Sequence, residues 1–397
     1  MDVSRRTFLL GGLAVPAAAA LPSFLLRAAA AAPPSDRGLV LLRLAGGNDG
    51  LNTVVPFEQD AYHRARPGLG ISGGAVLRLQ DGIGLHPGLG GLRPAWEAGD
   101  LAVVQGVGYA NPNRSHFIST DIWHTASLEP QSRRTGWAGR ALDEREGSFG
   151  EALPALHLGP EPLSLALVGE RVIVPSVRDA RRFEVRGGPE AARLLAGLAS
   201  GPRGTETLEF IRSSARRAYR TADRLRAALA GSGDAAGYPD TPLGRRLWQI
   251  ARLIEGGLGA GLYAATLDGF DTHSQQKPVH DALMRTLGDA VGALYADLQR
   301  AGWADRVVVL TYSEFGRRVK ENRSLGTDHG AAAPLFVVGG RVRGGLHGEH
   351  PSFSDLRDGD LVHGFDFRRV YATMLGRWIG VDPDKVLGGR YEPVGFL

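Results

Sequence analysis

The sequence contains no cysteine, so disulfide bonds cannot stabilise the fold and a large buried core must do so. It also lacks a strong excess of one charge, since 46 Lys and Arg residues face 42 Asp and Glu residues, for a formal net charge of +4 over 397 residues. A charge this small excludes a general polyanion-coating role unless it is concentrated on one face, and we expect no nucleic-acid partner. The composition, 43% hydrophobic and 22% charged, is that of an ordinary globular protein.

A good membrane-spanning segment is also missing. The apolar run at residues 8–26 is about as long as a span, but glycines and prolines interrupt it. The paired Arg5 and Arg6 before this run are typical of a twin-arginine export signal. We therefore predict a signal peptide at residues 1–32, with the twin-arginine translocase as a transient partner. The predicted location is the periplasm, the cell envelope or the extracellular space, without a stable membrane span after cleavage; an uncleaved anchor is the alternative.

Short apolar segments in the rest of the chain have the composition of buried β-strands, and polar turn residues adjoin each of them. Longer segments with apolar residues at three- and four-residue spacing predict helices. Strands that alternate with helices predict one α/β domain over residues 33–397, with a mainly parallel central sheet and helices on both faces. The predicted strands are 38–44, 101–107, 261–267, 306–312 and 334–338, and the predicted helices are 208–230, 243–255, 278–301 and 367–379.

Residues 150–190 contain shorter β-like pieces at 171–177 and 182–186. From these we expect a small antiparallel insertion beside the main sheet.

Polar side chains gather at the ends of the predicted strands. Ligands of an open parallel sheet bind beyond the carboxyl ends of its strands, so we expect these side chains to converge. Carboxylates combined with imidazoles bind zinc, manganese or iron, whereas carboxylates alone suit calcium or magnesium. Two such ions about 3.5 to 4 Å apart would stabilise both oxygens in a displacement at phosphorus or sulfur. The candidates are Asp49, Ser115, His116, Asp271, His273, Glu314, Asp328 and His329.

Each candidate has a purely structural alternative. Asp49 lies in a good turn sequence, and Ser115 and Asp271 are residue types that cap helices. Glu314 is close in sequence to Arg317 and Arg318, with which it would form a buried salt bridge. His280 and His347 are reserves if a metal ligand is missing.

The motifs GGNDGLN, PNRSHF, GFDTH, SEFGR, GTDHG and APLFVVGG follow one another between Gly46 and Gly340. In this order they resemble the exported family called domain of unknown function 1501. That family is similar in fold to the alkaline phosphatase and sulfatase superfamily, whose members are metal-dependent hydrolases with a mostly parallel sheet. The resemblance therefore implies an alkaline-phosphatase-like fold and a metal-dependent reaction on an ester.

The same resemblance implies roles for individual residues. Asp49 matches a metal-binding aspartate, and Ser115 matches a nucleophile at the start of a helix that also touches the metal. Asp271 and His273 resemble the ligands of the other metal site, although their spacing is shorter than usual. His329, which precedes a proline-containing strand, resembles a late metal-binding histidine.

One position departs from the superfamily pattern. Glu314 stands where an aspartate ligand is expected, and Phe315 then stands where a histidine ligand is expected. One site thus lacks a nitrogen ligand, which leaves it vacant, filled by a harder ion, or completed by His116 or Asp328. One metal ion is as compatible with the sequence as two, and zinc, manganese, iron and calcium all remain open.

The resulting hypothesis is an exported metal-dependent hydrolase of phosphate or sulfate esters, on a small molecule or a polysaccharide. Ser115 would be its nucleophile, and Arg114, Arg317 and Arg318 would hold an anionic ester oxygen. The rival hypothesis is a non-catalytic exported protein with the same fold that binds a metal or an envelope polysaccharide. A metal-free triad of Ser115 and His329 is weaker, because no G-x-S-x-G motif is present.

Overall fold

The computed structural model describes residues 37–149, 152–182, 205, 221–231 and 233–397. The predicted signal peptide at 1–32 lies outside these residues, and within them no helix is long and apolar enough to cross a membrane.

All five predicted strands are present, each within one residue of its predicted ends. The strands are β1 Gly38–Ala45, β2 Val54–Val55, β3 Leu77–Arg78, β4 Gly84–Leu85, β5 Leu101–Gly108, β6 Ala155–Leu158, β7 Ser176–Val177, β8 Leu262–Asp268, β9 Val307–Tyr312, β10 Ala333–Val338, β11 Gly345–His347, β12 Leu356–Arg357, β13 Asp360–Leu361 and β14 Phe365–Asp366.

A nine-stranded sheet forms the centre of the fold, in the order β11-β5-β10-β9-β1-β8-β6-β7, with β14 also paired to β5. Adjacent strands are parallel except around β10, which is antiparallel to both β5 and β9. The prediction of a mainly parallel central sheet is confirmed. A three-stranded sheet of β2, β4 and β3 and a hairpin of β12 and β13 lie outside it.

Both faces of the sheet are covered by helices, as predicted. Alternate residues of β1 enter two separate hydrophobic clusters, Val40 and Leu42 in one and Leu39 and Leu41 in the other. A strand buried on both faces is apolar throughout, which explains the short apolar runs in the sequence. The first cluster includes residues of helices Pro242–Glu255 and Gln276–Arg300; the second includes residues of helices His116–Thr125, Trp137–Glu144, Phe367–Thr373 and Pro383–Leu387.

The helix predictions agree with the structure apart from their ends. Thr241 caps helix Pro242–Glu255 by accepting a hydrogen bond from Gly244 N, and a proline at the first helical position favours this start. Helix Phe367–Thr373 continues as a π-helical turn, Met374–Ile379. Of the helix predicted at 208–230, residues 221–229 are helical and the earlier part lies outside the described residues. Short helices occur at Gly50–Thr53, Asp60–Ala65 and Arg93–Glu97.

The expected antiparallel insertion at 150–190 is wrong. β7 pairs in parallel with β6, and β6 pairs in parallel with β8, so both extend the main sheet. Within the predicted piece 171–177, only Ser176–Val177 is a strand. Most of the second piece, 182–186, lies outside the described residues. The neighbouring open edge of the sheet decided the direction of pairing, and local composition does not encode it.

Candidate metal centre

Four of the predicted polar segments meet at one edge of the sheet. β1, β5, β8 and β9 all point the same way, and the segments after them carry Asp49, Ser115, Asp271 and Glu314, respectively. This is the carboxyl edge at which open parallel sheets bind ligands.

His329 reaches the same edge for a different reason. Because β10 is antiparallel, the segment that precedes it, and not the one that follows, lies at the carboxyl edge. A single β-bridge between Arg317 and His329 fixes this segment beside the one that follows β9, and Gly330 N donates to Gly316 O at 2.9 Å.

Asp271 Oδ1 is the meeting point of three histidines. The Nε2 atoms of His273, His329 and His116 lie 3.0, 3.1 and 3.4 Å from it, respectively. His273 Nε2 and His329 Nε2 are 2.9 Å apart. The ligand atoms of His116, Asp271 and His329 all lie within 4.8 Å of one another. We call His116, Asp271, His273 and His329 together the His–Asp centre.

The other ring nitrogen of each histidine faces an acceptor. His116 Nδ1 donates to Glu314 Oε1 at 2.9 Å, and His329 Nδ1 donates to the carbonyl of Arg114 at 2.8 Å. His273 Nδ1 lies 3.4 Å from Asp328 Oδ1. A proton on each Nδ1 leaves a lone pair on each Nε2, which is the state in which imidazole binds a metal. Glu314 and Asp328 thus lie behind the histidines and orient them.

The donor set fits a divalent metal ion. The ligand atoms of His116, Asp271 and His329 form the group in which each atom lies within 4.8 Å of the others, and His273 Nε2 contacts two of these residues, Asp271 and His329. Carboxylate oxygens and imidazole nitrogens are ligands that zinc, manganese and iron accept. The buried Nε2 of His116 has no hydrogen-bond partner among the described residues, as expected of an atom that awaits a ligand.

Arg317 is a buried cation beside the centre that keeps Asp271 ionised. Its guanidinium is buried and donates to Asp271 Oδ1 at 2.7 Å and to the carbonyl of Gly47 at 2.8 Å. Burial would raise the pKa of Asp271, but the hydrogen bond from Arg317, together with its charge, outweighs this and lowers the pKa to about 2. The hydrogen bond to Glu314 raises the pKa of His116, whereas burial lowers that of His329. Asp271 is therefore ionised at neutral pH.

Phe315, which stands where a histidine was expected, is a buried wall of the centre. Its ring centroid lies 4.6 Å from that of His329 and 4.9 Å from that of His116. The ring also closes on Gly47, which has a φ of +80° and where a Cβ would collide with it. Only glycine fits that approach. His116 comes from a different segment and brings a nitrogen to the centre.

Ser115 has the backbone position of a helix N-cap but not its side-chain role. Its φ and ψ are extended, yet its hydroxyl makes no capping hydrogen bond to helix His116–Thr125. Its backbone N–H donates to Asn113 Oδ1 at 2.8 Å. The residues on either side both contact the centre, Arg114 through its carbonyl and His116 through its ring. The backbone of Ser115 thus lies between two residues that belong to or contact the centre, and the helix does not use its hydroxyl.

Asp49 lies apart from the His–Asp centre. Its carboxylate is buried, and Oδ2 accepts from Arg66 Nη1 at 2.5 Å and from Gln276 Nε2. Burial would raise the pKa of Asp49, but the charge and hydrogen bonds of Arg66 outweigh it and lower the pKa. His280, one of the two reserve histidines, belongs to this cluster, with Nε2 3.4 Å from Asn48 Oδ1. The other oxygen, Oδ1, is buried and has no hydrogen-bond partner among the described residues, and the metal-binding role that the resemblance implies for Asp49 stays a prediction.

The arginines expected to hold an anionic oxygen have partners of their own. Arg114 donates through Nε at 2.9 Å, and also through Nη2, to Asp360 Oδ2. Arg318 Nε lies 3.8 Å from Asp360 Oδ1, and Arg317 contacts Asp271. Glu314 pairs with neither Arg317 nor Arg318 but lies 3.5 Å from Arg43.

Sequence reasoning missed three residues that shape this region, namely Arg66, Gln276 and Asp360. None of them belongs to a motif or follows a strand of the main sheet directly, so their sequence surroundings carry no signal of their contacts.

The family model described as protein of unknown function (DUF1501) matches residues 102–389, and the twin-arginine translocation signal model matches residues 2–22. The chain belongs to the DUF1501 family. The signal shows that this family member is exported through the twin-arginine pathway to the periplasm or beyond, as predicted. No curated protein matches the chain.

Solved structures with a similar arrangement are distant in sequence. One is a protein in the alkaline phosphatase superfamily from Vibrio parahaemolyticus, with 11% identity over 91% of this chain and 70% of that chain and a TM-score of 0.40. Another is the PsFucS1 sulfatase from Pseudoalteromonas sp., with 12% identity over 90% of this chain and 70% of that chain and a TM-score of 0.37.

Proposed function

We propose that this exported protein binds one divalent metal ion at the His–Asp centre and hydrolyses phosphate or sulfate esters with Ser115 as nucleophile. The observation that carries the proposal is the convergence of three Nε2 atoms and one carboxylate oxygen, with an acceptor opposite every Nδ1. A histidine that only packs or is solvated has no need of two neighbouring histidines that also have an acceptor facing Nδ1.

The proposed ligands are His116, Asp271 and His329, whose ligand atoms all lie within 4.8 Å of one another, and His273 is the proposed fourth ligand because it contacts Asp271 and His329. Imidazole nitrogens with one carboxylate favour zinc, manganese or iron, and disfavour calcium, whose ligands are oxygens. Because Asp49 pairs with Arg66, the arrangement supports one ion rather than two.

A bound divalent ion acts as a Lewis acid on an ester oxygen and makes a nearby hydroxyl more acidic. Ser115 lies at the start of a ten-residue helix, where the first backbone N–H groups have no helical acceptor and favour an anionic group. The Ser115 oxygen would form a bond to phosphorus or sulfur while the bond to the leaving alcohol breaks. The serine proton passes to solvent, and the leaving oxygen takes up a proton from solvent. Water then cleaves the seryl ester and regenerates Ser115.

The proposal is tested on mature protein purified without chelator. Elemental analysis is expected to find about one equivalent of zinc, manganese or iron, and His329→Ala is expected to lose it. His347→Ala is the matched control, because His347 lies in β11, where its ring bonds the carbonyl of Arg343 away from the centre. A folded wild type that holds no metal and takes up none on titration would overturn the metal part of the proposal.

The nucleophile is tested with p-nitrophenyl phosphate and p-nitrophenyl sulfate. Ser115→Ala is expected to abolish hydrolysis and to keep the metal. Ser132→Ala, which changes a serine whose hydroxyl bonds the carbonyl of Glu129, is expected to keep both. Equal rates for Ser115→Ala and wild type would remove Ser115 from the mechanism.

One observation favours the rival, non-catalytic function. Arg114 and Arg317, two cations beside the centre, are both paired with carboxylates and are not free to hold an anionic ester. A wild type that binds one metal ion but hydrolyses neither ester would therefore favour a metal-binding protein without catalysis.

A further inference from the structure

A cavity of about 270 Å³ adjoins the His–Asp centre. The segment after β5 lines one side of it with Tyr109, Asn111 and Arg114, and the β12–β13 hairpin lines the other with Arg357 and Asp360. Its volume is near the lower end for small-molecule sites, roughly 300 Å³. We call it the Asp360 pocket.

Arg114 connects this pocket to the centre. Its carbonyl accepts the hydrogen bond from His329 Nδ1 at 2.8 Å, and its side chain donates to Asp360 in the pocket wall. Ala331, two residues after His329, lines the pocket as well. Arg114 and Ala331 thus place the Asp360 pocket beside the segments that carry His116 and His329.

Asp360 has an unused acceptor. The residue is only 2% exposed, and both hydrogen bonds from Arg114 go to Oδ2. Oδ1 is buried and accepts no hydrogen bond from the described residues, and Arg318 Nε lies 3.8 Å from it. A buried carboxylate oxygen without a donor is costly, and because Asp360 lines the cavity, a molecule bound there would supply the donor.

The charges around the pocket select against an ionic ligand group. Two arginines, Arg114 and Arg357, are balanced by two carboxylates, Asp358 and Asp360. Burial lowers the pKa of His363, which keeps that ring neutral at pH 7. An uncharged group that both donates and accepts hydrogen bonds matches this lining, and hydroxyl groups do both.

We propose that the Asp360 pocket binds the alcohol part of the substrate as an uncharged, hydroxyl-rich group of the sugar class, with Asp360 Oδ1 accepting a hydrogen bond from a sugar hydroxyl. The assignment of this group as the leaving alcohol rests on the proposed ester hydrolysis. Sugar binding in the pocket does not, and it is measured separately.

The direct test is saturation-transfer NMR on the mature protein with the methyl glycosides of glucose, galactose, mannose and N-acetylglucosamine, and with cyclohexanol as an apolar probe of similar size. At least one glycoside is expected to bind, and cyclohexanol is not. Asp360→Asn is expected to weaken binding at least tenfold, because Arg114 would hold the amide oxygen and turn the amide nitrogen, a donor, towards the ligand.

A second variant keeps the test decisive if Asp360→Asn fails to fold. Val362→Trp fills the pocket and leaves the Arg114–Asp360 pair intact, so glycoside binding is expected to disappear. Val279→Trp, at a 45% exposed position of helix Gln276–Arg300, is the matched control and is expected to bind like wild type. Folding of each variant is checked by circular dichroism.

The outcomes separate this proposal from the proposed function. No glycoside binding by folded wild type, or equal binding by Val362→Trp, overturns the sugar assignment even if p-nitrophenyl phosphate is hydrolysed. Glycoside binding that Val362→Trp removes supports the pocket even if no ester is hydrolysed. In an active enzyme, Val362→Trp is expected to raise KM for a sugar phosphate and to leave KM for p-nitrophenyl phosphate unchanged.

Discussion

Two clusters of the same residue types lie at the carboxyl edge of the sheet and differ in what surrounds them. In the His–Asp centre, Asp271 is 48% exposed, and its Oδ1 is shared by three histidines and one arginine. In what we call the buried Asp49 cluster, comprising Asn48, Asp49, Arg66, Gln276 and His280, the carboxylate is 1% exposed and one of its oxygens is held by Arg66 and Gln276.

The difference shows what makes a carboxylate available to a ligand. Arg66 neutralises the charge of Asp49 inside the protein, where a buried charge without a partner is strongly unfavourable. Asp271 is also paired with an arginine, Arg317, but Asp271 itself is half-exposed and faces the Nε2 atoms of three histidines. The buried Asp49 cluster and the His–Asp centre thus contain the same kinds of groups and differ in burial and in the number of histidines that face the carboxylate.

Removal of the buried cation is expected to have the largest effect. Arg66→Met leaves Asp49 as an uncompensated buried charge and is expected to lower the free energy of unfolding by about 3 to 5 kcal/mol. Arg64→Met is the control, because Arg64 is 73% exposed and its pair with Asp60 is 3.9 Å long. Its expected effect is within about 0.5 kcal/mol. Urea denaturation measures both, and equal effects would remove the distinction between the clusters.

Acid is expected to destabilise the protein through His280. Burial is the main cause that lowers its pKa to about 4, Arg66 and His86 lower it further, and Asp49 and Asp281 oppose them. The unfolded chain takes up the proton below about pH 6.5 and the folded chain does not, so stability is lost as the pH falls from about 6.5 to 4. The loss is about 3 kcal/mol.

Urea denaturation at several pH values between about 7.5 and 4 measures this loss in wild type and in His280→Asn. The variant has no imidazole to protonate, so its stability is expected to fall less over this interval. A fall as large as that of wild type would contradict the role of His280.

Glu314→Gln addresses the orientation of a histidine in the centre. The amide of this variant would not carry the negative charge that holds the Nδ1 proton of His116, and metal affinity is expected to fall by about 10- to 100-fold. Competition with a chromophoric chelator at fixed pH measures this. An unchanged affinity would mean that His116 is not a ligand.

Asp328→Asn makes the corresponding change behind His273 and is expected to have the smallest effect. Asp328 is 58% exposed and its contact with His273 is 3.4 Å long, whereas Glu314 is 1% exposed. Water screens the exposed carboxylate, so metal affinity is expected to fall less than about tenfold. A larger loss than that of Glu314→Gln in the same chelator assay would show that burial does not set the strength of these contacts.

The fold was predictable where the sequence pattern is local. A strand such as β9, buried on both faces, must be apolar throughout, and the polar residues after it must lie beyond its end. The region after β6 was not predictable in this way, because the pairing of β7 depends on an open sheet edge formed by distant residues.

The site was predictable as a set of residue types and not as a set of contacts. His329 was expected at the centre, but it arrives there because β10 is antiparallel, which local composition does not specify. Glu314 was expected to bind a metal or to pair with Arg317 or Arg318; it pairs with His116 and lies near Arg43, and its metal-binding role stays a prediction.

The sequence by itself determined the export signal, the main strands and the gathering of polar groups at one edge, because each follows from neighbouring residues and their periodicity. Only the tertiary structure decided which carboxylate was buried against a guanidinium and which was left half-exposed among three imidazoles. Arg66 and His329 both approach from distant parts of the chain, and the charge and availability of Asp49 and Asp271 depend on burial and neighbours that exist only after folding.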